Sequence, residues 1–446
     1  MMPNGQASSG RRTLWVPIIF FEAYLNLSVV LFATGPWPWP VTNPLNLYLY
    51  LAAAHLALLF GYRQGIDYAK IRLLLHNSGS IDWVKLSLVV NLLLLGPTSF
   101  ARSGDFIPNV VFGFSNPGEA YQVAFQRSSI GGWWVYIEYV RILLAPLIAL
   151  AFPCVIGTWR VRSVYEKVAI VFIAAYGVAI YISIGTNKAI VDTVLLLPWM
   201  LFLAIRTGGV RLSRKRLFQL LIAIVLGVFL AFLFFGNGQI QREGGVASGR
   251  TFGPPILIDT ELGNWTTVLF PETFQIYIES LLRYLGQGYY ALSRTMLLDF
   301  DSLYGAGNSI FLSKNVESIF GIHDFSMTSF PGKLETAEGW GMMTLWDSIY
   351  PWIASDVGFI GSLFVIYFIG KYFAMSWYYS VRNMDFLSIA IFAYFIIMLF
   401  YFPANNQLMQ NGESAVGFLI LLFIWRLKMF FFTVNTKHSF GGRIGT

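Results

Sequence analysis

Charge is what this sequence has least of. Only 12% of its 446 residues are Asp, Glu, Lys or Arg, about half the share of an ordinary soluble domain. A chain so poor in charge cannot dress a water-facing surface of its size, which argues against a simple soluble fold. Cysteine is nearly absent too. The single Cys154 lies in an apolar run, so neither an intrachain disulfide nor a thiolate metal cluster can form. A Walker-type phosphate loop, HExxH, CxxC, G-x-S-x-G and EF-hand patterns are all missing, which argues against ATP-driven and zinc chemistry. There are no internal repeats, heptads or low-complexity tracts. The net charge of +7 does not point to nucleic acid, because the basic residues fall mostly in short loops on one side.

What fills the chain is apolar. Hydrophobic residues make up 56% and aromatic residues 17%, with a mean hydropathy of +0.61. Apolar runs of spanning length recur, so the expected fold is all-α: a polytopic membrane helix bundle with Trp and Tyr at its interfaces. About ten spans fit, near residues 14–33, 45–61, 83–100, 133–157 and 168–184 in the first half. Runs at about 189–205, 218–236, 353–376, 386–403 and 414–432 complete the set. Arg11 and Arg12 precede the first run, which is long and contains Glu22. It reads as a retained span, not a cleaved signal. Loops carrying Arg63, Lys70 and Arg72, then Arg160, Arg162 and Lys167, then Arg206, Arg211, Arg214, Lys215 and Arg216, and later Arg382, share one side. The loops near 34–44 and 404–413 carry no Lys or Arg. The positive-inside rule then puts both termini in the cytoplasm. Residues 1–236 hold seven spans, 237–350 form one large, partly helical loop facing outward, and 351–446 hold three spans and a cytoplasmic tail.

The remaining polar residues gather in and around the large loop. A helix over Arg283–Arg294 returns both arginines to one face, about 16 Å apart along the axis. Glu279 and Gln287 share that stripe, with Glu279 placed to pair with Arg283. Phe274, Tyr277, Leu281, Leu285 and Leu292 fall opposite. The expectation is an amphipathic helix lying flat on the membrane, its basic stripe turned away. Gly286 and Gly288 leave one straight helix and two kinked ones both open.

Six outward arginines are available for an anion: Arg102, Arg127, Arg242, Arg250, Arg283 and Arg294. A guanidinium holds phosphate bidentately and stays charged. Some of the six are expected to serve, the others to meet headgroups or pair with Glu243, Glu261 or Glu279. Lys188 opens a span from an outer turn, within reach of a phosphate or of Asp192, while Glu138 and Arg141 share a helix face as an ion pair. Asp299-Phe-Asp301 has the form of a nucleotide-sugar metal grip, but it faces outward, where no nucleotide pool exists, and reads as accidental. Tyr289 and Tyr290 are placed to stack on sugars, whereas Trp265, Tyr284, Trp340, Trp346 and Trp352 suit an interfacial belt. His323 reads as surface. Asp356 enters a span from outside, either as a cap for its first turn or as a desolvated general base.

Several segments resemble a known family. Gln287-Gly-Tyr-Tyr-Ala-Leu-Ser293, Tyr304-Gly-Ala-Gly-Asn-Ser309, Gly185-Thr-Asn-Lys188, Trp352-Ile-Ala-Ser-Asp356 with Gly358 and Gly361, and Pro403-Ala-Asn-Asn-Gln407 carry the likeness. In order and placement they resemble the Wzy-type O-antigen (oligosaccharide repeat-unit) polymerases. The likeness covers the second half and part of the first. It implies a GT-C-like glycosyltransferase of the bacterial inner membrane, working on the periplasmic side without metal, nucleotide sugar or other cofactor. The donor would be a glycan on undecaprenyl diphosphate, moved en bloc onto a repeat unit on the same carrier. A chain-length co-polymerase of the Wzz type is the implied protein partner.

Carried onto this chain, the resemblance points the diphosphate to Arg283 and Arg294, with Arg127 or Arg102. On the same reading Lys188 assists at the phosphate and Asp356 or Glu279 takes the acceptor's proton. Asn405, Asn406 and Gln407 then bond sugar hydroxyls opposite Tyr289 and Tyr290. An O-antigen ligase with the same donor stays open, and less readily a lipid-linked oligosaccharide flippase. Ala291 stands where the family has glycine, and one long outer loop stands where several members have two.

Overall fold

The structure is a computed structural model and describes residues 4–74, 82–208, 210, 213–242, 251–261 and 263–435. Helices α1 (Asn4–Thr34), α2 (Pro44–Lys70) and α3 (Trp83–Ser103) come first, followed by the short α4 (Val110–Ser115) and α5 (Pro117–Ile130). α6 (Val135–Ile148) and α7 (Ala151–Gly157) form one interrupted rod, then α8 (Val164–Ser183), α9 (Lys188–Arg206) and α10 (Arg214–Arg242) return to long helices. The large loop contains α11 (Trp265–Leu269), α12 (Glu272–Thr295), α13 (Ile310–Phe320) and α14 (Phe330–Glu338). The chain closes with α15 (Ile349–Asn383), α16 (Phe386–Tyr401) and α17 (Gly412–Phe431). Two small antiparallel pairs complete it: β1 (Arg72–Leu74) and β2 (Thr251–Phe252) pair respectively with β4 (Thr433–Asn435) and β3 (Ile258–Asp259).

Nine helices among the described residues are long and apolar enough to cross a membrane: α1 from Arg12, α2, α3, the α6–α7 rod, α8, α9, α10, α15 and α17. The helix at the span expected near 386–403, α16, has 16 residues, short of the roughly 20 that a bilayer core requires. It is buried along nearly its whole length, as a helix that is apolar all round should be at the middle of a bundle. α10 is the opposite case. Only 6% of its apolar window is buried, and Phe218, Leu221, Val225 and Leu230 stand exposed. Such a surface suits lipid, not water. The molecule is a membrane helix bundle.

The closest seam joins α2 to α15. Gly61 and Gly65 lie one turn apart, and a Cβ on either would collide with the backbone carbonyl of Tyr367 or Lys371. Gly370 answers from α15 against the carbonyl of Leu58. Small residues four apart let two membrane helices bring their backbones together, which gains dispersion contacts where water supplies no driving force.

α12 is a single helix of 24 residues. Its two glycines are contact points, not kinks. A Cβ on Gly286 would lie 3.0 Å from Trp39 Nε1, and one on Gly288 would strike the Pro403 carbonyl and lie 2.8 Å from the Ser348 nitrogen. The expected orientation is reversed. Glu279 and Gln287, on the polar stripe, are 0% and 3% exposed. The aromatic stripe instead follows α10, with Phe274 on Phe229, Tyr277 on Phe232 and Tyr284 on Phe235. Since α10 offers Phe229, Phe232 and Phe235 there, the rings of α12 take that surface, and Glu279 and Gln287 turn inward. α15 begins at Ile349, ahead of the expected span, and Gly358 breaks it with φ +71°. Its first two turns therefore belong with the large loop.

Candidate functional site

The inward face of α12 closes a pocket of about 390 Å³. Arg283, Tyr284 and Gln287 enter from α12, Gln239 from the end of α10, Thr251 from β2, and Thr344 and Trp346 from the segment before α15. Gln239 Nε2 donates to the Tyr284 hydroxyl at 3.1 Å, and the Trp346 ring packs 5.5 Å from that of Tyr284. Burial pushes the Arg283 guanidinium down from the ordinary arginine value, with the adjacent Tyr284 acting the other way. Its charge lies 5.8 Å over the Trp37 ring. One cation, two amides, several hydroxyls and an indole suit a hydroxyl-rich ligand carrying negative charge.

Other outward cations among the described residues have partners away from this pocket. Arg294 is held by Glu338 through Nε at 2.9 and 3.0 Å and Nη2 at 2.7 Å, and these bonds raise its pKa. Arg127 donates to the carbonyls of Ala101 and Phe100 at the end of α3, its guanidinium 4.1 Å over the Trp134 ring. It acts as a helix C-cap. Arg102 Nε lies 3.2 Å from Glu138, and Arg141 Nη2 lies 2.5 Å from Glu413 while its Nη1 bonds Thr98 at 2.6 Å. Glu138 and Arg141, expected to neutralise each other, are 3.8 Å apart and each has a nearer partner. Lys188 pairs with Asp192 at 2.6 Å. Three cations thus meet three carboxylates where α3, α6, α9 and α17 approach. With their charges balanced, they offer a diphosphate no net attraction. The side chain of Arg242, and Arg211, Glu243 and Arg250, lie outside the described residues.

Asp356 anchors a loop. Its Oδ1 accepts from the amides of Gly305 and Gly307 at 2.9 and 2.8 Å, and its Oδ2 from the Asn308 amide and side chain at 3.0 and 2.8 Å. Tyr304 and Gly305 take positive φ to bend the chain around the carboxylate. Four donors occupy the lone pairs that a general base would use. Neither the cap nor the base expected of Asp356 describes it; it is a clamp. Glu279, the alternative base, is buried and accepts from Thr266 Oγ1 at 2.5 Å.

Tyr289 and Tyr290 are packed away. Tyr289 is fully buried and shares a 2.8 Å hydrogen bond with Ser28. Tyr290 stacks on Trp39 at 5.5 Å and meets Trp340 at 5.3 Å. Neither ring offers a face to a sugar in this conformation, because α12 lies polar side inward and carries both into the core. Asn406 Nδ2 donates to the Asn308 carbonyl at 2.6 Å, and Asn405 accepts from Gln410 at 3.0 Å. Both are buried, and Gln407 is half-buried beside them. Asp301 pairs with Lys333 at 2.6 Å, and His323 is exposed.

Four of the five family-like segments thus touch. Asp356 holds Tyr304–Asn308, Asn308 holds Asn406, and the Pro403 carbonyl lies against Gly288, next to Gln287 of the pocket.

Sequence reasoning missed Asp347, between the pocket-lining Trp346 and Ser348, whose amide donates to the Gly288 carbonyl. It is 1% exposed, and neither carboxyl oxygen has a hydrogen-bond partner among the described residues. Burial, with nearby Glu335, pushes its pKa well above the usual aspartate range. A perturbed carboxyl beside a pocket is a functional-site signal. Comparisons with family models, curated proteins and solved structures find no match to this chain.

Proposed function

We propose that this chain is an inner-membrane glycosyltransferase that polymerises undecaprenyl-diphosphate-linked oligosaccharide repeat units en bloc on the periplasmic side. The carrying observation is the pocket under α12, where Arg283 meets Gln239, Gln287 and Tyr284 beside Trp346. The meeting of four family-like segments, one of which reaches the pocket wall at Gln287, adds support. In this reading an acceptor hydroxyl attacks the donor's anomeric carbon, the bond to the carrier breaks, and undecaprenyl diphosphate leaves with the electron pair. Arg283 stabilises the charge developing on that diphosphate. Gln239 and Gln287 hold sugar hydroxyls. Asp356 and Glu279 give up the role of base to Asp347, a carboxyl buried beside the pocket without a hydrogen-bond partner among the described residues, whose proton affinity burial raises.

Elongation of purified lipid-linked repeat units in vitro tests the proposal. Arg283→Ala and Gln287→Ala should each shorten the ladder and cut the rate by a hundredfold or so, while Arg294→Ala keeps its length. Full elongation by Arg283→Ala refutes the assignment of the site. No elongation by the parent chain, with the same substrates active on a known polymerase, refutes the activity.

A further inference from the structure

The outer end of α1 is unusually rich in acceptors, and the sequence shows why. After Thr34 the chain reads Gly35-Pro36-Trp37-Pro38-Trp39-Pro40. The last carbonyls of a helix look to amides four residues on. For Phe32 and Thr34 those positions are Pro36 and Pro38, which have no N–H. The last turn of α1 carries no basic residue either. Thr34 instead accepts from Trp265 Nε1 at 3.2 Å, and Pro36 accepts from the Glu261 amide at 3.1 Å. That second bond fastens Glu261 over the helix end.

The result is a cavity of about 340 Å³ lined by Thr34, Trp37, Trp39, Tyr48 and Glu261, among others, with no lysine, arginine or histidine in its lining among the described residues. The negative pole of α1, a carboxylate, two indoles and a phenol converge there. The helix end and Glu261 attract a cation by charge and the exposed Tyr48 ring by its quadrupole, while Trp37, under Arg283, and Trp39, stacked on Tyr290, wall the cavity. Arg283 approaches the Trp37 ring but belongs to the other pocket.

We infer that this cavity binds an organic ammonium group. At the end of a membrane bundle that group can come from an ethanolamine lipid headgroup or from an amino sugar, and two arms of one experiment separate the sources. The full chain is placed in nanodiscs of phosphatidylglycerol. In one arm retention of added phosphatidylethanolamine is measured by native mass spectrometry. In the other, glucosamine and N-acetylglucosamine are titrated against tryptophan fluorescence. Binding in the first arm names a lipid, binding in the second an amino sugar, and binding in both shows that the ammonium alone is read. In each case Glu261→Gln should weaken binding about tenfold, and Asp259→Asn, on the neighbouring strand, should leave it unchanged. Binding in neither arm overturns the inference. So does equal affinity for the acetylated sugar, or an unchanged Glu261→Gln variant.

Discussion

Replacing Asp347 by asparagine should separate stability from activity. Both carboxyl oxygens are buried without a partner among the described residues, and burial first, then Glu335, raises the folded pKa. The folded chain therefore keeps this proton over a range in which the unfolded chain has released it. The stabilisation is fully present below the unfolded aspartate value of about 3.9 and is lost as pH rises toward the folded value. Within that window one proton gives a slope of about −1.4 kcal/mol per pH unit. Asparagine has nearly the same shape and cannot ionise, so this part of the slope should vanish. Near pH 4 the two proteins should differ by about 1 kcal/mol or less, the net worth of one hydrogen-bonding group. At neutral pH the variant should be the more stable. Denaturant unfolding of purified protein in detergent, across about pH 4 to 8, reads the effect, and Glu335→Gln should move the parent's curve part of the way. Elongation by Asp347→Asn should fall at every pH. A purely structural aspartate would lose stability and activity together, whereas a functional one trades one against the other. Parallel pH–stability curves for parent and variant would refute the reasoning.

Three further outcomes follow from the packing. Gly288→Ala forces a methyl against the Pro403 carbonyl and the Ser348 nitrogen, and should lower stability in a thermal unfolding assay by about 1–3 kcal/mol. For Arg294 and Glu338, a double-mutant cycle to alanine should return a coupling of about 1 kcal/mol, the scale of a partly exposed ion pair. Asp356→Ala removes the acceptor for four donors. It should cost about 3 kcal/mol or more in the same assay and expose residues 304–308 to limited proteolysis.

Much of the bundle was legible because its code is local. A run such as Phe218 to Phe235 declares a span by composition alone, and its helix is the least buried of the nine. The site was less legible because its code is relational. Arg141 and Glu413 are 272 positions apart, and Arg294 and Glu338 are 44 apart, so nothing in the sequence says which arginines are already paired. The reversal of α12 has the same origin. Its amphipathic pattern fixes two faces but not which neighbour each will meet, and the apolar surface of α10 decides. Asp347 carried no spacing signal, since its burial depends on α12 and α14 closing around it. The Gly61–Gly65 pair was readable in principle, as two small residues one turn apart in an apolar run.

The contacts also say why a chain so poor in charge keeps its polar residues where it does. In the bundle, Arg102, Arg141 and Lys188 are each matched by a carboxylate, because an unmatched ion at membrane depth is costly. Above it, polar groups serve as fasteners. Asp356 binds the Tyr304–Asn308 loop, that loop binds the turn at Asn406, and the turn meets α12 at Gly288. Each joint uses a carboxylate, an amide or a glycine where a larger or apolar side chain would fail. This series ends at Gln287, one residue from Gly288 and on the wall of the Arg283 pocket. The residues that look most like catalysts in the sequence, Asp356 and Asn406 among them, thus serve as fasteners, and under the proposed function the chemistry falls to the polar groups that face the pocket.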